Sequence, residues 1–387
     1  MSSLADGRAV LLGALGLDCR VEVDGDRLHG LQHGAACPWY VAVGAPREVL
    51  DGYAAMLPSG RRRAAGNVWC SWYSHYRDIS ERRVLQVARA LRGLPFQVLQ
   101  IDDGWQQHYG DWLPNERFGD MAVLARRIRA SGFTPGLWLA PFLVHPESRA
   151  FREHAAWLLR DENGAARHAA FNDGCFWYAL DASQPTVVEW AAERVAEARA
   201  WGFSYLKLDY LYAAALPGSN PRLPREQVYH RAMARLRQAA GDAYLLACGA
   251  PILPTLGLVD GLRVGPDVAP FWEDEARTRF LHDASAPSAA NALRTTLSRL
   301  WLRPLVETDP DVVYFRTRYN LLTRPQKHWL EDLAEVAGFK ATSDPPDWLD
   351  ASELRRLRAF LGRRARVRRL DETRFRIGRR EVDFGEV

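Results

Sequence analysis

A closed (β/α)8 TIM barrel, with a short N-terminal β-rich region and a small C-terminal β-domain, is the fold class this sequence predicts. Three observations carry it. From residue 67 to about 340, short stretches that are apolar almost throughout alternate with longer amphipathic ones. That is the pattern of strands buried on both faces, paired in parallel and covered by helices. Eight strand candidates fall in that span, the number one barrel needs. No G-x-G-x-x-G turn follows the first of them, which removes the main support for an open doubly wound sheet with a phosphate-binding crevice.

The elements follow in order. Residues 1–66 are short alternating stretches such as RVEVDG and CPWYVAV, closed by the basic turn GRRRAAG at 60–66. AVLLGALGL at 9–17 lacks a basic leader and a small-residue cleavage site, so it reads as a strand rather than a signal. The barrel is expected over 67–340. VWCSWY (68–73) leads to a helix at 81–94, FQVLQID (96–102) to one at 121–131, and TPGLWLAPF (134–142) to one at 148–161. FWYALD (176–181) is the fourth strand candidate, with a helix at 186–202, and YLKLDYL (205–211) the fifth, with a helix at 224–241. YLLACGAP (244–251), without a long helix of its own, and GLRVGPDV (261–268) are the sixth and seventh. A helix at 289–303 precedes the eighth, PLVETDPDVVYF (304–315), and another helix follows at 325–339. In the tail, 341–387, RVRRL and RFRIGRREVDF read as short strands around a turn at Asp371-Glu372, with arginines on solvated faces.

Composition excludes several classes. With 48% hydrophobic and 25% charged residues the chain is a globular one, and a net charge of +4 gives no footing for nucleic acid. Five cysteines, an odd number without C-x-x-C spacing, argue against a disulfide scaffold or a structural zinc site and suit a reducing, cytoplasmic setting. No apolar run approaches the roughly 20 residues that span a membrane. His108 and His145 fall in loops away from the acids, so no metal or other cofactor is expected. Fourteen tryptophans beside acidic residues suit a pocket for sugar rings, whose C–H faces stack on aromatic planes.

The acids define the chemistry. Lysine occurs only at 207, 327 and 340 among 51 basic residues, yet Lys207 sits in the apolar run YLKLDYL. Strand alternation puts it on the same face as Asp209. In a barrel, reacting groups lie at the C-terminal ends of strands. There the sequence places Asp102 and Asp103, Asp209, Arg263 with Asp267, and Asp309 with Asp311; Trp72, Trp105 and Trp138 close the first three strands. Converging carboxylates repel one another unless cations offset them, and Lys207 and Arg263 are placed to do so. Two carboxylates, polar clamps and aromatic walls are what glycoside hydrolysis requires. Asp209 beside Lys207 suits the ionised nucleophile, and Asp267 in the apolar stretch VGPDVAPFW suits the proton-holding acid. A buried ion pair that merely fixes the core is the plainer reading of Lys207 and Asp209.

Taken together, QIDDGWQ (100–106), GDW (110–112), GLWLAPF (136–142), YLKLDYL, ACGAP (247–251) and R-x-x-x-D at 263–267 resemble glycoside hydrolase family 36, the α-galactosidases or melibiases, from Trp69 to about Tyr314. The resemblance implies a retaining exo-α-galactosidase acting on melibiose- or raffinose-type oligosaccharides. It implies Asp209 as nucleophile and Asp267 as general acid/base. It further implies Asp102 and Asp103 on the galactose 4- and 6-hydroxyls, and Lys207 and Arg263 as partners of sugar hydroxyls and of carboxylates. Cys248 and Gly249 would lie at the 2-hydroxyl side, and Trp72, Trp138 and Trp105 at the sugar. The sequence departs from the family at Leu208, where a tryptophan is common, and in the strand that ends Cys248-Gly249, so handling of the 2-substituent stays open. Related readings are an α-N-acetylgalactosaminidase, a galactosyl transferase of the raffinose-synthase kind, and a catalytically inactive sugar-binding barrel.

Overall fold

The computed structural model describes residues 1–33, 37–60, 63–172, 174–220 and 222–385. Its centre is a sheet of eight parallel strands: β1 (Asn67–Cys70), β2 (Val98–Ile101), β3 (Thr134–Leu139), β4 (Tyr205–Leu208), β5 (Tyr244–Ala247), β6 (Gly261–Arg263), β7 (Glu307–Asp309) and β8 (Lys340–Thr342). Each of β2 to β7 pairs with its predecessor in the chain, and β8 pairs with β1, Lys340 opposite Asn67. The Val313 N–H donates to the Ala341 carbonyl at 2.8 Å, tying the segment after β7 to β8. β1, β2, β4 and β5 are buried at every position. Side chains on one face fill the barrel and those on the other pack under helices, which is why these stretches read as apolar runs rather than alternating ones.

Two strand assignments change. FWYALD is not a barrel strand: Cys175–Ala179 pairs antiparallel with His168–Asn172 and with Leu143–Val144, forming a small sheet inserted between β3 and β4. Its burial alternates along the strand, where a parallel barrel strand would be buried throughout. The last barrel strand is instead Lys340–Thr342, so the barrel crosses the boundary drawn at 340. Beyond it the helix Ala351–Gly362 places Leu357, Phe360 and Leu361 in the main core. PLVETDPDVVYF is therefore the seventh strand, and the count of eight survives one strand too many and one too few.

The tail strands Val367–Arg369, Arg374–Ile377 and Arg380–Asp383 form the expected antiparallel sheet. Phe375, Ile377 and Val382 pack it on Leu333 and Val336 of the helix Arg324–Ala337. At the other end, Ala9–Ala14 pairs with Trp39–Gly44, and Cys19–Asp24 with Arg27–Gln32. Arg61 and Arg62 of the basic turn lie outside the described residues. Among the described residues no helix is long and apolar enough to cross a membrane.

Candidate active site

β4 delivers Lys207 and, one residue past its end, Asp209. Lys207 is buried, and its ammonium lies 3.0 Å from Asp102 and 4.0 Å from Asp209. Burial alone would discharge it, but Asp102, Cys248 and Asp209 outweigh that and hold its pKa well above the ordinary lysine value. Asp209 is fixed from three sides. Its N–H donates to the Leu139 carbonyl at 2.8 Å, one carboxylate oxygen accepts the Tyr210 N–H at 2.7 Å, and the other accepts the Trp138 indole N–H at 3.0 Å. Tyr210, next in the chain, holds a left-handed backbone at φ 51°.

Asp102 and Asp103 follow β2. One oxygen of Asp102 receives Gln100 (2.5 Å), Lys207 (3.0 Å) and the Cys70 thiol (3.4 Å), and the other receives, among the described residues, only the Asp103 N–H (2.9 Å). One oxygen of Asp103 receives Arg77 (3.0 Å) and Tyr109 (2.5 Å), the other Gln106 (2.6 Å). Each carboxylate oxygen has two lone-pair sites. Spare acceptor capacity is thus concentrated on one oxygen of each aspartate, as two acceptors for sugar hydroxyls would require.

Arg263, at the end of β6, holds the opposite wall. It lies 2.9 Å from Asp309, 2.9 Å from Asp311 and 3.2 Å from Asp267. Asp309 and Asp311 also carry backbone: the Asp311 N–H donates to Asp309 at 2.8 Å, and Asp311 accepts the Val268 N–H at 2.9 Å and the Tyr73 hydroxyl. Asp267 is surrounded by protein, yet 44% of its side-chain surface opens to the cleft. Burial raises its pKa above the usual carboxylate range; Arg263 and Lys207 pull it back, and Asp209 pushes it up.

Of the predicted residues, Asp102, Asp103, Lys207, Asp209, Asp267, Trp72 and Trp138 line one cleft of about 300 Å³ at the barrel mouth. A hollow of about 1260 Å³ between Trp301 and Leu370 is larger but lies away from the strand ends, so chemistry rather than size marks the site. Arg263 meets the cleft through Asp267. Cys248 is buried among the same charges, and burial pushes its thiol well up. Gly249, at φ 58°, passes so close to Tyr210 and Tyr212 that a side-chain carbon would sit 3.3–3.5 Å from them. Trp105 does not reach the cleft. It is wholly buried, donates its indole N–H to the Trp138 carbonyl at 2.9 Å, and packs on Trp112 and Trp201, so it supports Trp138 from behind. The sequence reading missed two cleft residues, Tyr210 and Asn172. Asn172 comes from the inserted sheet, whose turn signal Asn172-Asp173-Gly174 stood in the sequence; Asp173 itself lies outside the described residues.

A parallel eight-stranded barrel with paired carboxylates at its mouth, cations between them and indoles at the wall is a barrel of the glycoside-hydrolase class. Comparison with known proteins narrows it. The Melibiase family model matches residues 61–237. An α-galactosidase from Thermus thermophilus, TtGalA, solved in complex with p-nitrophenyl α-D-galactopyranoside, superposes with a TM-score of 0.96 at 53% identity, over 99% of this chain and 80% of that one. The GH36 α-galactosidase AgaA of Geobacillus stearothermophilus shares the fold at a TM-score of 0.63 and 18% identity, over 92% of this chain and 53% of that one. In sequence AgaA is 28% identical over 167 residues, 41% of this chain and 22% of that protein. The chain thus spans about a fifth of the length of this curated relative. The chain belongs to the melibiase family of α-galactosidases, glycoside hydrolase family 36.

Proposed function

We propose that the chain is a retaining exo-α-galactosidase that removes terminal α-linked galactose from melibiose- and raffinose-type oligosaccharides. One observation carries the reading: Asp209 and Asp267 open onto the same small cleft, one held by hydrogen-bond donors and a lysine, the other with a raised pKa. The cleft is small and is walled by aspartates, a lysine and two indoles, a lining that suits a single sugar ring. The Thermus thermophilus relative was also solved in complex with stachyose, a galactose-terminated oligosaccharide, which supports the substrate class.

The steps follow from the charges. Asp209 attacks the anomeric carbon while Asp267 gives its proton to the glycosidic oxygen, and the aglycone leaves as an alcohol. Forming the ester removes the negative charge of Asp209. That charge was raising the pKa of Asp267, so once it is gone the spent Asp267 stays ionised and, as general base, takes the proton of the incoming water. Water then displaces Asp209 from the opposite face, and configuration is retained. Asp102 and Asp103 accept from galactose hydroxyls, and Trp72 stacks on the ring.

The test is nitrophenol release from para-nitrophenyl α- and β-galactosides, α-glucoside and α-N-acetylgalactosaminide, with Asp209→Ala alongside. Activity on the α-galactoside, cut about a thousandfold or more in the variant, is expected. Preference for another sugar would overturn the specificity, and an active Asp209→Ala would overturn the mechanism.

A further inference from the structure

Two cysteines stand outside everything described so far. Cys19 opens the strand Cys19–Asp24, and Cys37 follows the end of its partner, Arg27–Gln32. The hairpin brings their sulfurs to 2.9 Å across 18 residues. That is closer than unbonded sulfurs normally rest, and a small adjustment from the bonded distance of about 2.05 Å. The other three cysteines are elsewhere: Cys70 and Cys248 are buried in the barrel, and Cys175 is on the inserted sheet. The hairpin has little burial to hold it, since five of the six residues of Cys19–Asp24 are exposed. At its base, Asp18 exchanges two hydrogen bonds with Glu226 in the first turn of the helix Arg225–Ala240, at 2.6 and 3.2 Å.

We propose that Cys19 and Cys37 form a modification site, a dithiol that a low-molecular-weight disulfide such as glutathione disulfide oxidises to an intramolecular clasp at the base of the hairpin. The Cys37 thiolate attacks one sulfur of glutathione disulfide and expels one glutathione thiolate. Cys19 then loses its proton to water and attacks the Cys37 sulfur, expelling the second. Two protein thiols become one disulfide, and one glutathione disulfide becomes two thiols. Cys37 attacks first because Cys19 is hard to ionise: burial, the neighbouring Cys37, Glu226 and Asp18 push its thiol up to about 12. The odd cysteine count, read above against a disulfide scaffold, is compatible with one such pair and three free thiols.

The test uses the full chain, reduced and then incubated with glutathione disulfide, blocked with iodoacetamide and digested with trypsin without reductant. Arg8, Arg20, Arg27 and Arg47 set the fragments. The expected product is the segment 9–20 joined to the segment 28–47, with two of the five thiols lost. Cys19→Ser and Cys37→Ser each abolish the crosslink, and Cys175→Ser leaves it intact. Under native conditions the oxidised chain is cut at the exposed Arg20 and Arg27 about tenfold more slowly, because a closed loop resists local opening. Five thiols that persist, a glutathione adduct without a crosslink, or a crosslink that needs Cys175 would overturn the proposal. Equal cleavage rates before and after oxidation would overturn the clasp.

Discussion

Replacing Arg263 by methionine tests the electrostatic logic of the site. The guanidinium serves three carboxylates, at 2.9 Å (Asp309), 2.9 Å (Asp311) and 3.2 Å (Asp267), and Asp309 and Asp311 are each only 1% exposed. One such pair at an effective dielectric of 20 is worth about 6 kcal/mol. Protonation of the stranded acids recovers part of this, so the net loss of stability near neutral pH is expected at about 3–5 kcal/mol, as for removing one partner of a buried pair. The loss has a predictable sign with pH. Burial pushes the Asp311 carboxyl up to about 7, with Asp267 and Asp309 adding to the rise and Arg263 and Tyr73 opposing it. A carboxyl raised in the folded state keeps a proton that the unfolded chain has released above its ordinary value near 4. Stability therefore falls as pH rises between those two values, and deleting Arg263 extends the fall above 7. Each extra retained proton steepens it by about 1.4 kcal/mol per pH unit. Urea denaturation of both proteins should show a deficit larger at about pH 8 than at about pH 5. A variant within about 1 kcal/mol of the parent at the higher pH, or a deficit that grows on acidification, would refute the reasoning.

Three further expectations concern the cleft. Trp138→Phe removes the indole donor 3.0 Å from Asp209; a hydrogen bond to a charged group is worth about 1.5–3 kcal/mol, so kcat should fall about 10- to 100-fold with KM little changed, read by steady-state kinetics on the aryl α-galactoside. Asp267→Asn should abolish the alkaline limb of the pH–rate profile as well as lower kcat, because that limb reports the group whose pKa burial has raised; a profile of unchanged shape would reassign the acid. Gly249→Ala should lower stability by about 1–2 kcal/mol, because position 249 is left-handed at φ 58° and the added carbon meets the Tyr212 ring at 3.3 Å; calorimetric melting measures it.

The barrel and its acids were legible in the sequence for one reason. Strands buried on both faces, such as β4 and β5, cannot carry charge by accident, so Lys207 stood out against Leu206 and Leu208. The rest hid where local pattern and tertiary context diverge. Cys175–Ala179 is as apolar as a barrel strand because its buried face packs Trp177 against Tyr109; only the turn at 172–174 set it apart. Lys340–Thr342 is three residues long and reads as polar, since Lys340 reaches out to the Phe360 and Arg363 carbonyls and the Glu335 carboxylate. Trp105 and Trp138 are both indoles at strand ends. Which one meets the cleft is decided by side-chain direction, which spacing alone does not encode. The nearness of Cys19 and Cys37 depends on hairpin register, and no motif announces it.

The inserted sheet between β3 and β4 separates two duties. The groups proposed to make and break bonds, Asp209 and Asp267, ride on or beside barrel strands whose register the whole fold enforces. Asn172, by contrast, reaches the cleft from a strand pair that touches the barrel sheet at no backbone ladder. Lengthening, shortening or exchanging that pair would reshape one wall of the cleft and leave Asp209 and Asp267 in register. This chain thus carries, between β3 and β4, a replaceable cassette on a fixed chassis, and it is the first place to graft when a different ligand is wanted at the same cleft.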